Sequence, residues 1–342
     1  MMVLGIETSC DETSAAVVAQ DNILSNVVAT QEIHQRFGGV VPEFASRAHL
    51  RQLPVIIQSA LSEANIDFSN LQGLAVTYGP GLAGSLLVGL SMCKALAFSL
   101  DLPFIGINHL EGHILATTAE SRQPDYPCLA LVVSGGHTLL VHVEKPLCYK
   151  IVGQTIDDAA GEAFDKVSKI LNLGYPGGPA IEKAATAGDS RAINFPIGLD
   201  KKNNLDFSFS GLKTAVLYHV QSLSPRELQA QNADIAAGFQ RAVIDALLNK
   251  TLMALEIHNC RQIVLAGGVV RNQALRNRFQ NACEKNNLEL FIPSPQLCTD
   301  NAAMIAQAGT IRLQNGEKSG FDLDVIPNLS LDTKPKRKGG KS

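Results

Sequence analysis

A chain of 342 residues, at roughly 150 residues per domain, accommodates about two domains, which argues against a single small module. Apolar residues make up 46% and charged residues 18%, enough for sizeable cores, so wholesale disorder is excluded. The last ten residues hold Lys334, Lys336, Arg337, Lys338 and Lys341 and no acid; the remainder carries 24 basic against 32 acidic residues, a charge of −8, which excludes a globally basic nucleic-acid binder but not a local basic patch.

In chain order, Val3–Glu7, the polar turn 8–13 and Ser14–Ala19 predict an antiparallel hairpin. The opening residues reach Glu7 without a basic stretch, which predicts no secretory signal. Leu74–Tyr78 leads through a glycine-rich turn into an apolar helix from Leu86 to Leu100; Lys94 interrupts that run, which falls short of the ~18 apolar residues a bilayer requires. Phe104–Asn108 leads into a helix starting near His109. Cys128–Val133, the turn Ser134–His137 and Thr138–Val143 repeat the first hairpin about 125 residues on, and Gln262–Ala266 leads through Gly267 and Gly268 to a helix ending near Asn286. Strands alternating with helices predict an α/β chain of two similar halves, each with a largely parallel sheet covered on both faces. The boundaries read as 1–125 for the first half and 126–301 for the second. A helix at about 302–316 returns to the first half, an irregular insertion spans about 193–211, and 332–342 is a disordered basic tail. Seven scattered cysteines with no C-x-x-C spacing suit a reducing, cytoplasmic setting.

Several residues have the chemistry of a site. His109 and His113, four apart at a helix start, differ by roughly 40° around the axis and can reach one metal ion; two capping or surface histidines are the plain alternative. A zinc protease of the H-E-x-x-H type requires its Glu directly after the first His, whereas Glu111 lies two positions on and about 200° around the helix. Asp300 is the best third ligand, although an Asp before the small-residue helix at 302–308 also suits an N-cap. Three glycine turns compete for a phosphate or nucleotide. Gly79–Gly84 matches G-x-G-x-x-G, but Pro80 removes an amide and the motif follows a later strand. Ser134-Gly135-Gly136-His137 is the better cradle. Gly267-Gly268, with Asn272 opening the next helix, could take an adenine or ribose edge or be packing glycines. Glu7, Asp11 and Glu12 crowd one turn and suggest proton handling near a metal. Asp165 and Glu182 flank the loop Gly174–Ala180, which could grip ribose hydroxyls.

Taken together, Gly5–Ser14, His109–His113, Val133–His137, Tyr175–Pro179, Phe209–Thr214 and Thr299–Ala302 resemble the TsaD/Gcp/YgjD family over roughly residues 2–316. The resemblance implies two RNase H-like halves of the actin, sugar-kinase and Hsp70 ATPase superfamily with a cleft between them. It implies a tRNA N6-adenosine threonylcarbamoyltransferase, which takes threonylcarbamoyl-AMP as donor and modifies adenosine 37 of tRNAs reading codons that begin with A. By the same resemblance a divalent metal, iron or zinc, sits on His109, His113 and Asp300. The donor lies against Val132, Val133, Ser134, Gly135 and Gly136, with Asp165, Gly178, Glu182 and Asn272 around its ribose and base. Implied partners are tRNA, a paralogous non-catalytic TsaB-like subunit and a small TsaE-like ATPase, and no membrane. Asp11 or Glu12 is expected to orient or deprotonate the adenine amine. A metal-dependent endopeptidase, an actin-like ATPase and a non-catalytic scaffold subunit are the rival readings. For tRNA phosphates, Arg36, Arg47, His49 and Arg51 form one expected cluster, Lys201, Lys202 and Lys213 another, and the tail a supplement.

Overall fold

The structure is a computed structural model that describes residues 1–20, 22–119, 123–199 and 204–332. The chain opens with β1 (Met2–Glu7), β2 (Glu12–Ala19) and β3 (Asn22–Thr30), two consecutive antiparallel pairings. It then crosses over through α1 (Pro42–Glu63) to β4 (Gly73–Gly79), through α2 (Ala83–Leu100) to β5 (Phe104–Asn108), and enters α3 (His109–Leu115). The first sheet has the order β3-β2-β1-β4-β5, with β4 parallel to both β1 and β5. The second half repeats the scheme with β6 (Cys128–Val133), β7 (Thr138–Lys145) and β8 (Cys148–Gln154). Four helices follow: α4 (Ala160–Ile170), α5 (Gly177–Ala185), α6 (Ser210–Gln221) and α7 (Pro225–His258). Then come β9 (Gln262–Ala266), α8 (Gln273–Asn286), β10 (Glu289–Phe291), α9 (Pro295–Cys298) and α10 (Ala302–Gln314). The second sheet, β10-β9-β6-β7-β8, reproduces the first strand for strand, so the duplication read from the repeated hairpins holds in topology.

Alternation along the strands sorts side chains between two layers. In β1, Leu4 and Ile6 join Leu53, Ile57 and Leu90 of α1 and α2, while Val3 joins Ile305 and Ala308 of α10 on the other face. A Cβ on Gly5 would lie 2.4 Å from the carbonyl oxygen of Ala302, so only glycine lets α10 approach β1 this closely. Helix α3 is buried along its whole length. It sits in the seam: Leu110 and Ile114 pack on β6, β7 and β9, and Leu115 packs with the first sheet.

Several boundaries differ from those expected. Helix α2 begins at Ala83 and, at 18 residues, is long and apolar enough for a membrane span by those two criteria alone. In the fold its Leu86, Leu90 and Cys93 are buried against the first sheet. The insertion ends at α6, because Asp157 accepts from the amides of Phe209 and Ser210 (2.8 and 3.2 Å) and starts a helix there. Residues 316–332 run along the β5 edge, where Ser319 N donates to Phe104 O and Ile326 N to Tyr78 O. Asp332, read as the first tail residue, accepts from Ile151 N of β8 (2.7 Å). The rest of the tail, Lys201, Lys202 and the Arg36 side chain lie outside the described residues.

Candidate metal and adenylate site

The site is built from the carboxyl ends of parallel strands in both sheets, where α/β folds leave a crevice. Asn108 ends β5 and caps α3 by accepting from Leu110 N, which sets His109 and His113 one turn apart with ring centroids 4.7 Å from each other. Asp300 arrives from the far end of the chain, just before α10. The N-cap of α10 is Asn301, whose Oδ1 accepts from Met304 N, so the Asp300 carboxylate is left for the imidazoles. Its Oδ1 lies 3.1 Å from His113 Nε2 and 3.4 Å from His109 Nε2.

One ligand atom from each residue falls within 4.8 Å of the others. Metal bonds of about 2.1 Å arranged tetrahedrally separate their ligand atoms by about 3.4 Å, so the spacing here and the donor set of two imidazoles and one carboxylate both fit a divalent ion. Electrostatics agree. Burial alone would raise Asp300, but the two imidazoles outweigh it and hold the carboxyl well below the usual range. Burial would likewise lower His109, yet Asp300 and Glu7 drive it well above its ordinary value. Positive charge is favoured at this point of the cleft. Glu111 is turned away, as its place in the helix implied, and meets Arg312 of α10 through both carboxylate oxygens (2.8 and 3.0 Å).

Beside the triad lies the turn 8–13. Glu7, fully buried at the end of β1, accepts from Thr77 Oγ1 (2.6 Å) and from Ser9 N, and its Oε2 is 3.1 Å from His109 Nδ1. Glu12 is pushed well above the usual carboxylate range by burial, then by Asp300 and Asp11. The sequence placed Glu7 among the turn acids; that it touches a candidate metal ligand was not legible, because the contact spans 102 residues.

The second half supplies the opposite wall. Ser134 N donates to His137 O, and His137 N to Ser134 Oγ, closing the β6–β7 turn on itself. A Cβ on Gly135 or Gly136 would meet nothing within 4 Å, so this turn presents bare backbone to open space. Val132 and Val133 bury their side chains in opposite cores and have only backbone to offer. Gly267 (φ +94°) comes so close to Val133 O that a Cβ would stand 2.4 Å from it, so its role here is close packing. Burial, followed by the charges of His109 and His113, lowers His137 to about 4, so this imidazole at the glycine turn feels the triad.

Of the remaining predicted residues, Asp165 lies within α4, Gly178 and Glu182 within α5, and Asn272 at the N-cap of α8. Asp165 Oδ1 accepts from Gly177 N (2.7 Å), and a Cβ on Gly178 would meet nothing within 4 Å. Glu182 Oε1 accepts from Gln273 N (2.6 Å). Asn272 caps α8 through Leu275 N and donates to Gln240 Oε1, so much of its hydrogen-bonding capacity is spent inside the protein. A cavity of about 320 Å³ is lined by Gly38, Asp165, Lys169, Asn172, Gly174 and Tyr175.

Two expectations change, and a turn already disfavoured proves filled. His49 is not a surface cation. It is buried, Nε2–H donating to Cys10 O (2.9 Å), with Thr13 Oγ1 and Gln31 Nε2 at Nδ1. Lys213 is committed to Asp158 (3.0 Å). The turn at Gly79–Gly84 is filled by its neighbours: Gly81 abuts Ser9, and its amide donates to Pro327 O.

Comparison with known proteins then bears on the reading. A family model described as TsaD, tRNA N6-adenosine threonylcarbamoyltransferase, matches residues 22–307. Relatives bearing that name include one from Syntrophotalea carbinolica, 51% identical over 97% of both chains, and one from Syntrophus aciditrophicus, 49% identical over 97% of this chain and 98% of its own. A third, from Caldicellulosiruptor saccharolyticus, is 48% identical over 98% and 99%. Among solved structures, full-length HypF in a phosphate- and nucleotide-bound form aligns with a TM-score of 0.62 at 13% identity over 93% of this chain, which spans about half (47%) of HypF. The activator of 2-hydroxyisocaproyl-CoA dehydratase from Clostridium difficile, with bound ADPNP, aligns at 0.52 and 13% identity over 93% and 99%. These likenesses show the two-lobed actin-like ATPase fold, and the near-full-length relatives show more: the chain belongs to the TsaD family, the tRNA N6-adenosine threonylcarbamoyltransferases.

Proposed function

We propose that the cleft takes threonylcarbamoyl-AMP, its threonyl end at His109, His113 and Asp300 and its phosphate at the Ser134–Gly136 turn, and passes the threonylcarbamoyl group to N6 of adenosine 37 in tRNAs reading codons that begin with A. The observation that carries this reading is the convergence of His109, His113 and Asp300, one ligand atom of each lying within 4.8 Å of the others. The triad would hold a divalent ion, iron or zinc, whose chemistry when bound is to polarise a carbonyl and anchor a carboxylate or hydroxyl.

The chain's own groups do the rest. Ser134 and His137 spend their amides within the turn, so the amides of Gly135 and Gly136 face the leaving phosphate and steady its charge. Asp165, Gly178, Glu182 and Asn272 surround ribose and base. The N6 lone pair attacks the carbamoyl carbon, the carbon–oxygen bond to the phosphate breaks, AMP departs and N6 loses one proton. Asp11 accepts that proton, while Glu12, raised well above the usual carboxylate range, orients the amine. In this reading the halves divide at 125/126, with α10 assigned to the first. Partners are tRNA, a TsaB-like subunit and a TsaE-like ATPase in the cytoplasm.

The test supplies threonylcarbamoyl-AMP and tRNA without ATP. Digestion and mass analysis should show threonylcarbamoyladenosine and one AMP released per group transferred, and His113→Ala or Asp300→Ala should abolish both. Modification that needs ATP and ignores the supplied donor would overturn the donor assignment.

A further inference from the structure

We propose that Glu7 is the positioning residue of the metal centre: its carboxylate fixes the proton of His109 on Nδ1 and so leaves Nε2 as a ligand. The proposal rests on the metal reading above and deepens it.

The argument begins with a charge that has no obvious reason to be buried. Glu7 is 0% exposed, and its hydrogen-bond partners among the described residues are Ser9 N, Thr77 Oγ1 and His109 Nδ1, none of which carries a fixed positive charge. A buried carboxylate requires a cation nearby. His109 is the side chain that links Glu7 to the ligand cluster, since its other nitrogen faces Asp300 at 3.4 Å. Glu7 and Asp300 together carry two negative charges, which balance a divalent ion. The contacts also dictate the tautomer. Glu7 Oε2 accepts from the hydroxyl of Thr77 and stands 3.1 Å from His109 Nδ1, as does Ser9 Oγ; a carboxylate oxygen can only accept, so Nδ1 is the donor, and an ion that takes the place of the proton on Nε2 finds that nitrogen as its ligand. An outer carboxylate that orients a ligating imidazole and raises its basicity is a recurrent device of metal sites.

Glu7→Gln separates this role from simple packing. If the amide oxygen keeps the bond from Ser9 N, the amide nitrogen faces His109 Nδ1 and Thr77; His109 must then accept at Nδ1 and carry its proton on Nε2, where it blocks the ion. If the amide flips, the bond from Ser9 N is lost. Expected for Glu7→Gln is a Zn(II) affinity roughly 10- to 100-fold weaker than that of the parent chain, a changed visible spectrum for bound Co(II), and unaltered affinity for AMP. Equal Zn(II) affinity and an identical Co(II) spectrum would overturn the inference. A second measurement uses the unmutated, zinc-loaded chain: nitrogen-15 NMR, with His109 assigned against His109→Gln, should show a protonated Nδ1 and a ligated Nε2. The opposite tautomer would overturn the inference whether or not the Glu7 variant folds. Failure of the underlying metal reading has a different signature, since the parent chain would then bind no Zn(II) or Co(II) in one-to-one ratio.

Discussion

At the scale of single residues, the two carboxyls of the turn part company. Burial and the neighbours Asp300 and Asp11 raise Glu12 well above the usual carboxylate range, so an uncharged isostere is the fitting substitution there. Glu12→Gln is expected to retain kcat within about threefold, whereas Asp11→Asn should lose roughly 10²- to 10⁴-fold if it is the base; single-turnover transfer assays measure both. His49 makes a prediction about stability. Burial, set against the Cys10 carbonyl and the charges of Glu7 and Asp11, lowers its pKa below 6.5. The unfolded chain takes up a proton below about pH 6.5 that the folded chain refuses, so this contribution is complete above 6.5 and falls on acidification toward the folded value. The slope is at most ~1.4 kcal/mol per pH unit from this one group. Thermal unfolding between pH 7.5 and 5.5 should fall less steeply in His49→Gln than in the parent, and parallel curves would refute the assignment.

At the scale of elements, α10 is the part that delivers Asp300. Its seating depends on the bare Gly5 surface, where an added Cβ would collide with the Ala302 carbonyl oxygen and with Ala306. Gly5→Ala should cost about 1–3 kcal/mol of stability and, by shifting the start of α10, reduce bound metal; melting temperature and metal analysis of the purified chain test both effects. The Glu111–Arg312 pair fastens α10 to α3 from the other side, its carboxylate only 2% exposed. Arg312→Met leaves that carboxylate buried and unpaired and should destabilise by about 3–5 kcal/mol, with much of the loss recovered in the double variant Glu111→Leu/Arg312→Met. A single variant as stable as the parent in urea unfolding would show the pair to be idle.

At the scale of the whole molecule, an acidic body must still hold a polyanion. Among the described residues of the basic clusters expected from the sequence, His49 is buried and Lys213 is spent on Asp158, which leaves Arg47 and Arg51 on the outer face of α1, the first paired with Glu43 at 2.7 Å across one helical turn. Reversing both charges should weaken tRNA binding and lower the slope of log affinity against log salt by about two, with AMP binding untouched. An unchanged slope would place the tRNA elsewhere.

The sequence by itself determined the elements and one half of the site. Apolar runs around a polar turn and around a glycine turn marked the two hairpins, a four-residue spacing put two imidazoles on one face of a helix, and the position of Glu111 already told against a protease. Each of these is a relation between residues a few positions apart, and backbone geometry translates it directly. The capping box of Ser224 and Glu227, with Pro225 between them, opens the long helix α7 in the structure. Asp300 was already the best third ligand by sequence, but only the tertiary structure brings it to the histidines, adds Glu7 and decides which cations stay at the surface. Asp300 joins His113 across 187 residues and Glu7 joins His109 across 102, while α6 starts where the distant Asp157 accepts its first amides. Such contacts depend on the register of one packed layer against another. That register is set by volume, as where α10 settles on Gly5, and no periodicity within either segment encodes it.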